Sequence, residues 1–159
     1  YITHVTCGKI VDRGVSDVNN MGAAMAPAAL ATVKAHFTDL HTGPEDFDRI
    51  VTGDLGQLGM EMLLALARLG GLKRGGKLMD CGTTVFDNTS QDVHAGGSGC
   101  GCSAITLCGY LLDQLNTGKL KKILFCGTGA LLSPTSSFQG ESVPGICHAV
   151  CLSTKKGCS

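Results

Sequence analysis

The chain has 159 residues, enough to bury a sizeable core as one domain or as half of a larger one. Thirteen basic and thirteen acidic residues cancel, no basic stripe is present, and there are two tyrosines and no tryptophan, so nucleic acid and an anionic membrane surface are excluded as expected direct partners. Charged residues make up 16% against about 25% in an average soluble domain, and the 23 glycines are roughly twice the usual share, which points to extensive burial.

Ile2, Val5, Ile10 and Val11 predict an opening strand that ends at Asp12-Arg13-Gly14. Asn19 to Gly22 marks a loop, and Pro27 suits the first turn of a helix with Leu30, Val33, Phe37 and Leu40 on one side. Lys34, His36 and Asp39 fall on the other side, so this helix is expected at the surface with His36 and His41 solvated. Gly43-Pro44 closes it, and 47–52 leads into a short strand ending at Gly53-Asp54. Gly56 and Gly59 loosen the next turn before MEMLLALARLG, a mostly apolar helix stopped by Gly70-Gly71. About two dozen residues, 70–93, then show no period, as in a functional or partner-facing loop.

The run from His94 to Ser103, HAGGSGCGCS, holds four glycines within six residues, where backbone can turn freely and approach a ligand or another backbone. It leads into SAITLCGYLLDQLNTGKL, which is apolar all round and predicts a helix buried on every side. Lys122 to Thr128 reads as a strand covered on both faces, and after a loop from Pro134 to Pro144 the last strand runs from Ile146 to Thr154. Alternating strands and helices predict an α/β fold with a mostly parallel sheet and helices on both faces. The helix from Ser103 to Thr117 is not built for water, so a missing half or a second copy is expected to cover it. Tyr1 opens inside a strand pattern with no initiator methionine, which agrees with a preceding segment.

Nine cysteines raise the question of a disulfide scaffold, but Cys108, Cys126 and Cys151 sit in apolar patterns where cysteine acts as a small hydrophobe. They are read as reduced thiols of an intracellular protein. The chain has no signal-peptide pattern and no run of about 18 or more apolar residues, so it is not expected to cross a membrane itself.

The glycine-rich run has two open readings: close packing of the central helix, or backbone N–H groups facing an anion at a helix N-terminus. Cys100 and Cys102 could join Cys81 and His94 around a metal, but a C-x-C pair lacks the usual spacing of structural zinc sites, so neither metal nor cofactor is expected. A nucleophilic Cys100 needs a base, for which only His94 and His148 are candidates. Asp54 could orient a donor or hold the turn after its strand. Thr128 and Ser133 follow a buried strand at the edge where open α/β sheets bind ligands. His4 and His148 read as structural, and Met21, Met25, Met60 and Met62 as packing.

The stretches KIVDRGVSDVNNMGAAMAPAA, TGDLGQLG, HAGGSGCGCSA and TGALLSPTSSFQGESVPGICHAV together resemble the C-terminal half of the stage V sporulation protein AD family of endospore-forming bacteria, which has a thiolase-like fold. The resemblance covers nearly the whole chain. It implies two similar halves packed face to face, each with a five-stranded mixed sheet and a central buried helix. Residues 1–159 would form one half, and the N-terminal half would lie outside this chain. Enzymes of thiolase-like fold place a nucleophilic cysteine on the other half and draw a histidine, then a histidine or asparagine, from this one. The matching positions here are Gly53 and the neighbourhood of Gly101, and glycine has no side chain to move a proton or hold an oxyanion.

The resemblance therefore implies a non-enzymatic protein that binds dipicolinic acid for its uptake into or release from the spore core. Its place would be peripheral at the spore inner membrane, beside other proteins of a dipicolinate channel. The ligand-facing residues on this reading are Gly96, Gly97, Ser98, Gly99, Cys100, Gly101, Asp54 and Thr128, with Ser103 and His94 as further donors. The alternatives are a thiolase-like acyltransferase or condensing enzyme with a cysteine nucleophile, and an assembly module whose other half carries the ligand.

Overall fold

A computed structural model describes residues 1–72, 77–96 and 99–157. The strands are β1 (Ile2–Thr6), β2 (Arg49–Thr52), β3 (Leu78–Asp80), β4 (Lys122–Ala130) and β5 (Gly145–Ser153), in one five-stranded sheet of order β1-β5-β4-β2-β3. β2 pairs in parallel with both β3 and β4, whereas β5 is antiparallel to both β4 and β1. The sheet is thus mixed, with two parallel and two antiparallel pairs, rather than mostly parallel. The cause is the connection from β4 to β5, which returns along the edge without crossing the sheet.

Helices α1 (Met21–Leu40) and α2 (Gly56–Leu69) cover one face. Their Met25, Ala28, Ala29, Val33, Phe37 and Leu63 share a core with Ile50, Leu124, Cys126, Cys147 and Ala149 of the strands. The other face carries α3 (Cys81–Val85), α4 (Cys102–Thr106) and α5 (Leu112–Asn116), where Cys81, Cys102, Leu111 and Leu115 pack on Val51 and Ile123. Strands covered on both sides explain the nearly continuous apolar pattern of β4. A further short helix, α6 (Pro134–Phe138), lies in the loop before β5.

Several boundaries differ from the sequence expectation for local physical reasons. β1 stops at Thr6, and Val11 makes only an isolated bridge to Gly145. α1 starts at Met21 because the Asn20 side chain accepts a hydrogen bond from the Ala23 N–H at 3.2 Å, which places Pro27 inside the helix rather than in its first turn. His36 is buried, not solvated: its Nδ1 lies 2.8 Å from the Thr6 hydroxyl, and its ring packs on Phe37 and Phe47. Burial, then the neighbouring His4 and Lys122, push its pKa below the ordinary value of 6.5, so it serves as a neutral core group. His41 is exposed in a left-handed conformation that ends α1. The aperiodic stretch 70–93 contains β3 and α3, both too short to show a period.

The segment read as one central helix is helical from Cys102 to Asn116 but contains a π turn over Leu107–Leu111. Cys102, Thr106, Leu111 and Leu115 are buried against the sheet, while Ile105, Cys108, Gly109 and Leu112 are exposed on the opposite side. In this chain the helix is therefore not buried on every side. Its second face is apolar and uncovered, with Ile105 65% exposed. Cys126 and Cys151 are buried as expected, and Cys108 is not.

Gly56 and Gly59 lie within α2 rather than loosening the turn before it. Gly59 meets Gly22 of α1, and a Cβ placed on Gly59 would stand 2.8 Å from the Gly22 Cα. Alanine at this position would gain about 1 kcal/mol of helix propensity but overpack the contact at a cost of about 1–3 kcal/mol. Gly59→Ala is accordingly expected to lower stability in urea unfolding, by about 1 kcal/mol.

Candidate functional site

The carboxyl ends of β2, β3 and β4 share one edge of the sheet, and the chain leaves β2 and β4 in opposite directions along it. Such a point is where open α/β sheets form ligand crevices. A cleft of about 500 Å³ opens there, lined by Gly53, Asp54, Thr128, Ser103, the glycine-rich run at Ala95, Gly96, Gly99 and Cys100, and by Asn19, Asn20 and Met25 from the start of α1.

One buried carboxylate sets the geometry of this edge. Asp80, at the end of β3, accepts hydrogen bonds from the Thr52 hydroxyl at 2.6 Å and from the N–H groups of Leu55, Gly56 and Thr83 at 2.8, 3.1 and 3.2 Å. It caps α3 and fixes the turn by which β2 enters α2. The role of turn-holder considered for Asp54 thus belongs mainly to Asp80. The Gln57 N–H donates to the Ala95 carbonyl at 2.7 Å, so the first N–H groups of α2 are taken up by the protein itself.

Asp54 faces the cleft. Its N–H donates to the Thr128 hydroxyl at 3.1 Å, and its partly buried carboxyl accepts from the Gly99 N–H. Burial and the nearby Asp80 raise its pKa to about 6, although the Gly99 hydrogen bond pulls the other way. Burial and Asp80 likewise push the Cys81 thiol up to about 12. Burial, Asp54 and Asp80 push Cys102 up to about 11. Both are held as neutral thiols, poor nucleophiles and poor metal ligands.

Of the residues singled out in the sequence, Asp54, Gly96, Gly99, Cys100, Ser103 and Thr128 come together in the cleft. Gly97 and Ser98 lie outside the described residues. Gly101 precedes α4 and is exposed, outside the lining. His94 also lies outside the lining: its side chain is 90% exposed and its Nδ1 sits 3.7 Å from an Asp92 oxygen. Ser133 precedes α6 and does not reach the cleft. The glycines divide by role. A Cβ on Gly96 would stand 2.6 Å from the Gly82 carbonyl of α3, a packing constraint, whereas one on Gly99 would meet nothing within 4 Å. Gly99 is needed for its φ of 111°, which turns its N–H onto Asp54.

Sequence reasoning missed Asn19, Asn20 and Asp80. Asp80 carried a legible signal, an Asp followed three residues later by Thr83 in the pattern of a helix N-cap. The cleft placement of Asn19 and Asn20 depends on the tertiary approach of α1 and has no local signature.

The sequence profile of the family described as Stage V sporulation protein AD matches residues 1–153. Over 158 residues the chain is 43% identical to Stage V sporulation protein AD of Bacillus subtilis (strain 168), an alignment that covers 99% of this chain and 46% of that protein. The chain thus spans about half the length of that curated relative.

Asp80→Asn keeps volume but turns an amide donor toward N–H donors, which leaves buried groups unsatisfied. The substitution is expected to cost about 2–4 kcal/mol in urea unfolding, well beyond a surface change of charge.

Proposed function

The chain belongs to the stage V sporulation protein AD family, and on that premise we propose that it forms one wall of a non-catalytic cleft that binds dipicolinic acid for uptake into or release from the spore core. The observation that carries this reading is Gly53. It occupies the position where the thiolase-like resemblance places a histidine, and a Cβ there would stand 3.1 Å from both the Thr128 nitrogen and the Thr128 hydroxyl, and 3.5 Å from the Ser103 Cβ. No space is left for a longer side chain without moving β4 or the central helix. Among the described lining residues there is no histidine, and the thiols of Cys81 and Cys102 are held neutral. General acid–base chemistry lacks its groups on this side of the cleft.

What the cleft offers instead is a set of neutral hydrogen-bonding groups, the side chains of Asn19, Asn20, Ser103 and Thr128, in a volume within the range of small-molecule sites, roughly 300–1,000 Å³. A planar pyridine with two carboxylates suits such a site. The uncovered apolar face at Ile105, Cys108 and Leu112 supports a second half of the same fold as its cover, with the cleft closed between the halves. No helix among the described residues is long and apolar enough to cross a membrane, so attachment at the spore inner membrane would come through other proteins of a dipicolinate channel.

Titration calorimetry of dipicolinate into the full-length protein is expected to show saturable binding, weakened about fivefold by Ser103→Ala through loss of one hydrogen bond. Absence of binding would overturn the ligand assignment. Incubation of the full-length protein with acyl-CoA followed by intact-mass measurement is expected to show no adduct. A stable acyl-thioester on any cysteine would favour the acyltransferase reading instead.

A further inference from the structure

We infer that Asp54 selects the charge form in which the cleft accepts its ligand: a carboxylate ligand binds with uptake of one proton from solvent, which the Asp54 carboxyl donates to a ligand oxygen. This inference rests on the proposed reading of the cleft as a dicarboxylate site.

The geometry places Asp54 in the wall of the cleft, anchored at its backbone by Thr128 and at its carboxyl by the Gly99 N–H. The groups that face it from each neighbouring element supply no positive charge. Asp80, at the end of β3, is a second carboxylate already engaged by the Thr52 hydroxyl and three backbone N–H groups. Cys81 opens α3 and Cys102 opens α4, both as neutral thiols. Thr128 from β4, Asn19 and Asn20 before α1, Ser103 and the exposed thiol of Cys100 complete the polar surroundings. Among the described residues that line the cleft there is no lysine, arginine or histidine.

An anionic oxygen brought within hydrogen-bond reach of an ionised Asp54 therefore meets like charge with nothing on this wall to offset it. Protonation reverses the sign of the contact: a carboxylic acid donating to a carboxylate makes a short, charge-assisted hydrogen bond. Burial and Asp80 already hold the free carboxyl close to the protonated state, so the proton is taken up at small cost near neutral pH. The sign of the linkage follows. The complex holds a proton that the free protein releases above about pH 6, so affinity falls as pH rises above that value and levels off below it.

The test is calorimetry of dipicolinate with the full-length protein between about pH 6.5 and 8.5, where ordinary carboxylic acids in solution are ionised and uptake does not belong to the ligand. Runs in buffers of different ionisation enthalpy measure the protons directly. The expected result is uptake approaching one proton per ligand at the upper end, with affinity falling about tenfold per pH unit there. Asp54→Asn, which keeps a neutral donor, is expected to bind with a flat pH profile and to exceed the unsubstituted protein at the upper end. Binding without proton uptake and with constant affinity would overturn the role of Asp54 while leaving the dicarboxylate site in place. No binding at any pH would overturn the site and this inference together. Proton uptake by the unsubstituted protein decides the matter even if the variant does not fold.

Discussion

The Asp80 carboxylate is the interaction on which the functional edge depends. It is 1% exposed, yet its hydrogen bonds reach three separate pieces of chain: the end of β2, the entry to α2 and the first turn of α3. A buried carboxylate is tolerable only when its lone pairs are met this fully, and breaking such a set is far more costly than forming it is rewarding. The network lets a sharp turn carry Gly53 and Asp54 to the cleft wall. It also leaves a fixed negative charge behind them, which explains why every ionisable neighbour whose pKa it affects is pushed toward its protonated form.

The chemistry of the edge is defined by small side chains as much as by polar ones. Gly53 lies between β4 and the central helix, Gly59 against Gly22 of the facing helix, and Gly96 against the backbone of α3. Each contact brings main chain closer than any side chain allows. The result is a tight scaffold around an open crevice whose polar groups are almost all neutral. The glycine-rich run was open to two readings in the sequence, packing or ligand contact, and the structure divides them by residue: Gly96 packs, whereas Gly99 orients an N–H onto Asp54.

Most of the architecture was legible because the long elements have clear periods or strong boundaries. α1, α2, β4 and β5 all lie where apolar spacing placed them, and the cleft residues Asp54, Cys100 and Thr128 could be singled out from the ends of strands and from the glycine-rich run. The errors come from residues whose environment is set by distant chain. His36 sits on the polar side of its helix by spacing, but β1 brings Thr6 to it and β2 is preceded by Phe47, so it is buried as a neutral ring. β3 and α3 escaped because each spans less than two full periods of its own pattern. His94 looked like a proton source for the cleft from proximity in sequence, yet it points to Asp92 and away from the lining.

The π turn in the central helix spaces its buried residues four, five and four apart at Cys102, Thr106, Leu111 and Leu115. An uninterrupted α-helix would reach the same surface with one residue fewer, so the extra residue acts as a phase correction that keeps Leu111 and Leu115 aimed at the sheet. Deleting any single residue of this turn would rotate everything beyond it by about 100°, trading core leucines for solvent-facing ones. The surplus bulges on the outer face, beside Gly109, around which an added Cβ would meet nothing within 4 Å. Length in this helix is therefore as constrained as composition: homologous chains can exchange its outward residues more readily than they can gain or lose one.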